Sequence, residues 1–95
     1  LEVDLSEYDK VILGMPTWWY HLPPCVGYFM KNAALERISV FVTNSGVPLS
    51  ISDEMKRVSP STYVESSKII EFTPLVEPSR LVTPLDEIDA WIETL

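Results

Sequence analysis

The stretch Val11-Ile12-Leu13-Gly14-Met15-Pro16-Thr17-Trp18-Trp19-Tyr20 constrains this chain more than any other part of it. It opens as an uninterrupted apolar run, turns at Gly14 and Pro16, and ends in three consecutive aromatics. A run of this kind suits a strand buried on both faces, as in a parallel sheet. Open α/β sheets bind ligands just past the C-terminal ends of their strands. Aromatics at that place are either a lid over the sheet or a stacking surface for a flat ligand.

The rest of the chain alternates in period. Leu1 to Lys10 reads as a connector, with a turn at Ser6-Glu7-Tyr8-Asp9 leading into a strand over Lys10 to Met15. Pro23-Pro24 marks a helix start, because proline suits the first helical turn and no other. Val26, Phe29, Met30 and Ala33 then recur at one face of a 3.6-residue period, which predicts a helix from Pro24 to near Ala34. Arg37 to Thr43 is apolar and mostly β-branched, a second strand, and it runs into the turn-rich Thr43-Asn44-Ser45-Gly46. Ser50 with Asp53 has capping-box spacing, and Asp53 and Glu54 complement a helix N-terminus, so a short helix spans Ile51 to Val58 and stops before Pro60. Tyr63 to Phe72 holds a third strand, its best core Lys68 to Phe72; Thr73 to Val82 reads as loop. Thr83-Pro84-Leu85-Asp86 predicts a last helix with Thr83 as cap and Pro84 at the first helical position. Its apolar face is Leu85, Ile88, Ile92 and Leu95, with Trp91 beside it. Strand–helix alternation of this kind implies parallel strands joined by crossovers.

Length and charge narrow the classes. At 95 residues, there is room for about three strand-plus-helix units of ~30 residues each, in a single domain over 1–95. The first residue is Leu1, not Met, which suggests a fragment or a processed chain. Fourteen Asp and Glu oppose seven Lys and Arg, a formal charge of −7. Without a basic patch, nucleic acid is an unfavourable partner. The acidity serves solubility or steers the chain toward a basic surface. One cysteine, Cys25, excludes an internal disulfide, and with one histidine a closed zinc site from these ligands is excluded too. No apolar run approaches the ~20 residues of a membrane helix, and a cytoplasmic location without membrane contact is the expectation.

Tyr8-Asp9-Lys10-Val11-Ile12-Leu13-Gly14-Met15-Pro16-Thr17-Trp18-Trp19, followed by Leu22-Pro23 and an amphipathic helix, resembles the third strand, flavin loop and third helix of flavodoxins and related FMN-dependent reductases. Thr43-Asn44-Ser45-Gly46 is similar to that family's second flavin loop. The likeness spans the whole chain but only the C-terminal part of the family fold. It implies a partial flavodoxin-like three-layer α/β sandwich: strands 3-4-5 of a parallel sheet ordered 2-1-3-4-5, with helices on both faces. The first two strand–helix units, and with them the Ser/Thr- and Gly-rich phosphate loop, are not represented. Tyr20-His21 stand where related sequences commonly carry a small residue, often Gly.

The resemblance implies FMN as cofactor and Pro16, Thr17, Trp18, Trp19, Tyr20, His21, Thr43, Asn44, Ser45 and Gly46 as the residues that meet it. Pro16 and Thr17 would offer main-chain groups to the ring edge. Trp18, Trp19 and Tyr20 either stack on the isoalloxazine or pack beneath the following helix. Thr43 to Gly46 either line its other side, Gly46 allowing close approach, or form an ordinary turn. His21 either tunes the flavin or is simply solvated. Cys25 is either a mildly acidified thiol or a small packed residue. No residue is assigned a catalytic or metal-binding role.

Two readings follow. In one, the chain is an FMN-binding electron-transfer protein or the C-terminal part of one, acting at full length as an electron carrier or FMN-dependent oxidoreductase with a redox partner protein. Here flavin is held weakly or not at all by these residues alone, for want of the phosphate loop. In the other, it is a truncated flavodoxin-like domain without flavin. The strand Lys10 to Met15 is then a bare apolar edge through which copies associate into a homo-oligomer.

Overall fold

The computed structural model describes residues 5, 7–18, 20–33, 35–46, 49–73 and 78–95. Strands β1 (Ile12–Pro16), β2 (Arg37–Asn44) and β3 (Tyr63–Glu71) alternate with helices α1 (Pro24–Ala33), α2 (Ile51–Val58) and α3 (Leu85–Glu93). The sheet runs in the order β1-β2-β3 and both pairs are parallel. Gly14 lies opposite Phe41, which lies opposite Lys68. A register shift falls between Ile38 and Ser39.

The two sheet faces are covered differently. Ile38, Val40 and Val42 alternate along β2 and are fully buried with Met15, Leu22, Met30, Leu35, Ile51, Met55 and Val58. They form the core beneath α1 and α2, where each fully buried aliphatic side chain contributes ~1.5–3 kcal/mol. Val26, Phe29 and Ala33 pack at its margin, so the periodic face of α1 is the one that docks. Ser50 caps α2 as its spacing predicts, its hydroxyl accepting from the Asp53 N–H at 3.3 Å.

The opposite face is made by Gly14, Phe41, Ser66 and Lys68, and α3 lies over it. Trp91 meets Phe41 edge to face, with ring centroids 6.3 Å apart, and its indole N–H donates to the Ser66 hydroxyl at 2.6 Å. Lys68 pairs with Glu87 at 3.5 Å. Gly14 is required here by space: a Cβ would stand 2.6–2.7 Å from both Cε atoms of the Phe41 ring and closer still to Cζ.

Several expectations change. β1 starts later than Lys10 and is not buried on both faces: only Met15 is buried, and Ile12 is 45% exposed. Burial on both faces belongs to the central strand β2. β3 begins at Tyr63, and its exposure alternates residue by residue. The segment expected as loop after β3 is partly paired: Phe72 bridges Leu81 antiparallel, and the Thr73 N–H donates to the Arg80 carbonyl. Pro74 of that segment lies outside the described residues.

Thr83 does not cap α3. Its hydroxyl accepts the Glu71 N–H at 2.7 Å, and the helix begins one residue after Pro84, which occupies the cap position. Leu85 and Ile92, expected on a docked face, are 68% and 53% exposed. Trp91 is what seats the helix. The expected end of α1 at Ala34, residues 1–4 of the connector and Ser6 of the expected turn lie outside the described residues; the Tyr8 N–H donates to the Leu5 carbonyl. Cys25 is an exposed free thiol, not a packed residue. No helix among the described residues is long and apolar enough to cross a membrane.

Candidate functional site

β1 and β2 are adjacent and parallel, so the loops that leave them emerge side by side. Thr17 joins them. Its N–H and its hydroxyl both donate to the Thr43 carbonyl, at 3.0 and 3.1 Å. The side-chain amide of buried Asn44 donates to the Thr17 hydroxyl at 3.3 Å, and the Asn44 carbonyl accepts from the Phe72 N–H at 2.7 Å. These contacts hold the walls of a cavity of about 320 Å³ lined by Pro16, Thr17, Thr43, Asn44 and Ser45, with Phe72 and Ser79 closing it. Half of the ten expected site residues therefore converge. Gly46 follows at φ 86°, a left-handed backbone that glycine adopts without strain.

The aromatic turn sits next to this cavity rather than in it. Trp18 and His21 exchange both backbone hydrogen bonds, at 2.8 and 2.9 Å. Trp18 and Tyr20 are 52% and 60% exposed, so neither packs beneath α1; Trp19 lies outside the described residues. Tyr20 has φ 67°. For a residue with a Cβ this region costs roughly 1–2 kcal/mol. Trp18 and His21 instead line a second concavity, between the turn, α1 and α2.

What holds a strained turn is Glu54, a buried acid of α2. One oxygen accepts the Leu22 N–H at 2.8 Å and an Arg57 Nη2–H at 3.0 Å; the other contacts His21 Nδ1 at 3.1 Å and Arg57 Nε at 3.2 Å. The guanidinium bonds, the Leu22 N–H and the His21 contact outweigh burial and hold the carboxyl down at about 2. The same pairing raises Arg57 above its ordinary value. The His21 side chain is 60% exposed and so largely solvated, and its one polar contact among the described residues is to Glu54 of α2 rather than to the cavity. Its Nδ1 donates to the carboxylate when it carries the proton. In the sequence Glu54 reads only as an acid at the N-terminus of α2, but a signal for its anchoring role existed. Ile51, Glu54, Met55 and Val58 form one helical stripe, and an acid inside an apolar stripe needs a partner.

A family model described as Flavodoxin matches residues 2–95. The chain belongs to the flavodoxin family. No curated protein and no solved structure matches it. The three-stranded parallel sheet with helices on both faces is accordingly part of a flavodoxin-like fold. The two loops that converge around Thr17 and Asn44 leave the strands that the resemblance identifies as carrying the flavodoxin flavin loops.

Proposed function

We propose that the corner between β1 and β2 receives the ring system of FMN and that the chain works as an electron-transfer flavoprotein or as the C-terminal part of one. The observation that carries this reading is the convergence of Pro16–Thr17 and Thr43–Ser45 at the C-terminal ends of adjacent parallel strands, the position where such sheets bind ligands. The cavity volume lies at the small end of the usual range of ~300–1,000 Å³ for small-molecule sites. Main-chain groups, the hydroxyls of Thr17, Thr43, Ser45 and Ser79 and the Asn44 amide suit the polar edge of a flavin, and exposed Trp18 and Tyr20 suit its faces.

The fit covers the ring and not the phosphate, since no basic side chain among the described residues lines the cavity. When bound, FMN supplies one- and two-electron redox chemistry. The chain's own part is to orient the ring through Thr17 and Asn44 and to exclude water with Trp18 and Tyr20. The reading includes a redox partner protein and a cytoplasmic location, where an exposed Cys25 stays a free thiol.

Titrating the chain with FMN and with riboflavin tests it. Both quench with similar, weak affinity, because the phosphate is not gripped. Flavin fluorescence unchanged up to ~1 mM chain would overturn the reading.

Among the described residues no strand pairs with the outer side of β1, and this favours a second reading, self-association. Thr17 N–H and the Val11 carbonyl face β2, so by alternation Ile12 and Gly14 turn their backbone groups to the outer edge, and Pro16 has no N–H to present there. An uncharged, half-exposed edge of this kind pairs readily with a second copy. Light scattering at micromolar concentration returns a dimer or larger; a monomer contradicts it.

A further inference from the structure

The second concavity, about 660 Å³, lies between the aromatic turn and the α1–α2 pair and shares no residue with the β1–β2 cavity. Its floor is apolar: Leu22 and Pro23 are buried, and Gly27 faces Val58, where an added Cβ would sit in ordinary contact at 3.4 Å. Its rims are aromatic. Trp18 on the turn and Tyr28 on α1 are 52% and 73% exposed, with no ring partner between them among the described residues.

Its charge runs against that of the chain. In a protein of net charge −7, no carboxylate among the described residues lines this groove, whereas Lys31, Arg57 and His21 do. Glu54, the nearest acid of α2, is consumed by the Leu22 N–H, His21 and Arg57. Lys31 has no ion pair among the described residues. Arg57 spends Nε and Nη2 on Glu54 and keeps Nη1 for another acceptor. Two exposed aromatic faces beside cations, over an apolar floor, are complementary to a flat ring that carries an anionic group.

We infer that this groove is a binding site for a planar aromatic anion, its ring against Trp18 and Tyr28 and its carboxylate or phosphate toward Lys31 and Arg57. The inference shares Trp18 with the flavin reading and otherwise rests on residues that reading does not use, Leu22, Gly27, Tyr28, Lys31 and Arg57, so shifts at Tyr28 and Lys31 rather than at Trp18 tell the two apart.

The test is a titration of the 95-residue chain with adenosine monophosphate, adenosine and 4-hydroxybenzoate, followed by backbone amide NMR. The two anions shift amides at Trp18, Leu22, Gly27, Tyr28 and Lys31, and adenosine does so at least about fivefold more weakly. Lys31→Glu, a surface change in an exposed helical position, weakens both anions by about fivefold, the loss expected of one charge contact. Retained binding of the phosphate alone or the carboxylate alone identifies which anion the site prefers and supports it. Equal binding of adenosine and its monophosphate, binding unaffected by Lys31→Glu, or shifts confined to Thr17, Thr43 and Asn44 would overturn it. So would no shift with any of the three.

Discussion

Replacing Glu54 with Gln removes one charge from the contact that ties the aromatic turn to α2. The carboxyl sits at about 2 against an ordinary 4.5, a difference of roughly 2.5 units, or about 3 kcal/mol at 1.36 kcal/mol per unit. The largest cause is Arg57, whose side chain is 54% exposed, and solvent screening reduces the usable part to about 1–2 kcal/mol. Glu54→Ala costs about 1 kcal/mol more, because the Leu22 N–H is then buried without an acceptor. The sign follows from a folded-state value below the unfolded one. The contribution is complete above about pH 4.5 and is lost as pH falls toward about 2.

Urea unfolding of wild type and Glu54→Gln at neutral pH and at stepwise lower pH measures this directly. The gap is about 1–2 kcal/mol at neutral pH and closes between about pH 4.5 and 2. Amide exchange at Leu22 quickens in the variant. A gap that is absent at neutral pH, or that does not change with acid, would refute the assignment of Glu54 as the anchor.

Other outcomes follow from single contacts. Gly14→Ala forces the Phe41 ring away and costs about 1–3 kcal/mol, with loss of the near-ultraviolet dichroism of the Phe41–Trp91 pair. Tyr20→Gly relieves the φ 67° backbone and stabilises by about 0.5–1 kcal/mol, after the entropy glycine adds to the unfolded chain; thermal unfolding reads it. Thr83→Val takes the acceptor from the Glu71 N–H, costs about 1–2 kcal/mol, and shows as faster exchange at that amide.

The order of elements was legible because their periods differ: the α1 stripe of Val26, Phe29, Met30 and Ala33, the β-branched run of β2, and the Ser50 cap each appear as read. What misled was competition for the same groups. Thr83 has the spacing of a cap, yet its hydroxyl is worth more to an otherwise unpaired β3 N–H. Leu85 and Ile92 share a helical stripe, but Trp91 alone offers both a ring for Phe41 and a donor for Ser66, so it sets how α3 lies. A continuous apolar run suggested burial on both faces for β1, whereas the family resemblance placed that strand at an edge, and among the described residues it is at the edge. That Thr17 and Asn44 come together at one corner was legible because their loops leave adjacent parallel strands. The anchoring of His21 was not, because its partner lies 33 residues away and only an acid in the apolar stripe of α2 hints at it.

The most direct test is amide NMR of the chain during addition of FMN. Shifts at Thr17, Thr43, Asn44 and Ser45, with broadening at Trp18 and Tyr20, are the predicted result. Shifts that spare those residues and gather on α3, or none at all, would contradict a flavin-receiving corner between β1 and β2.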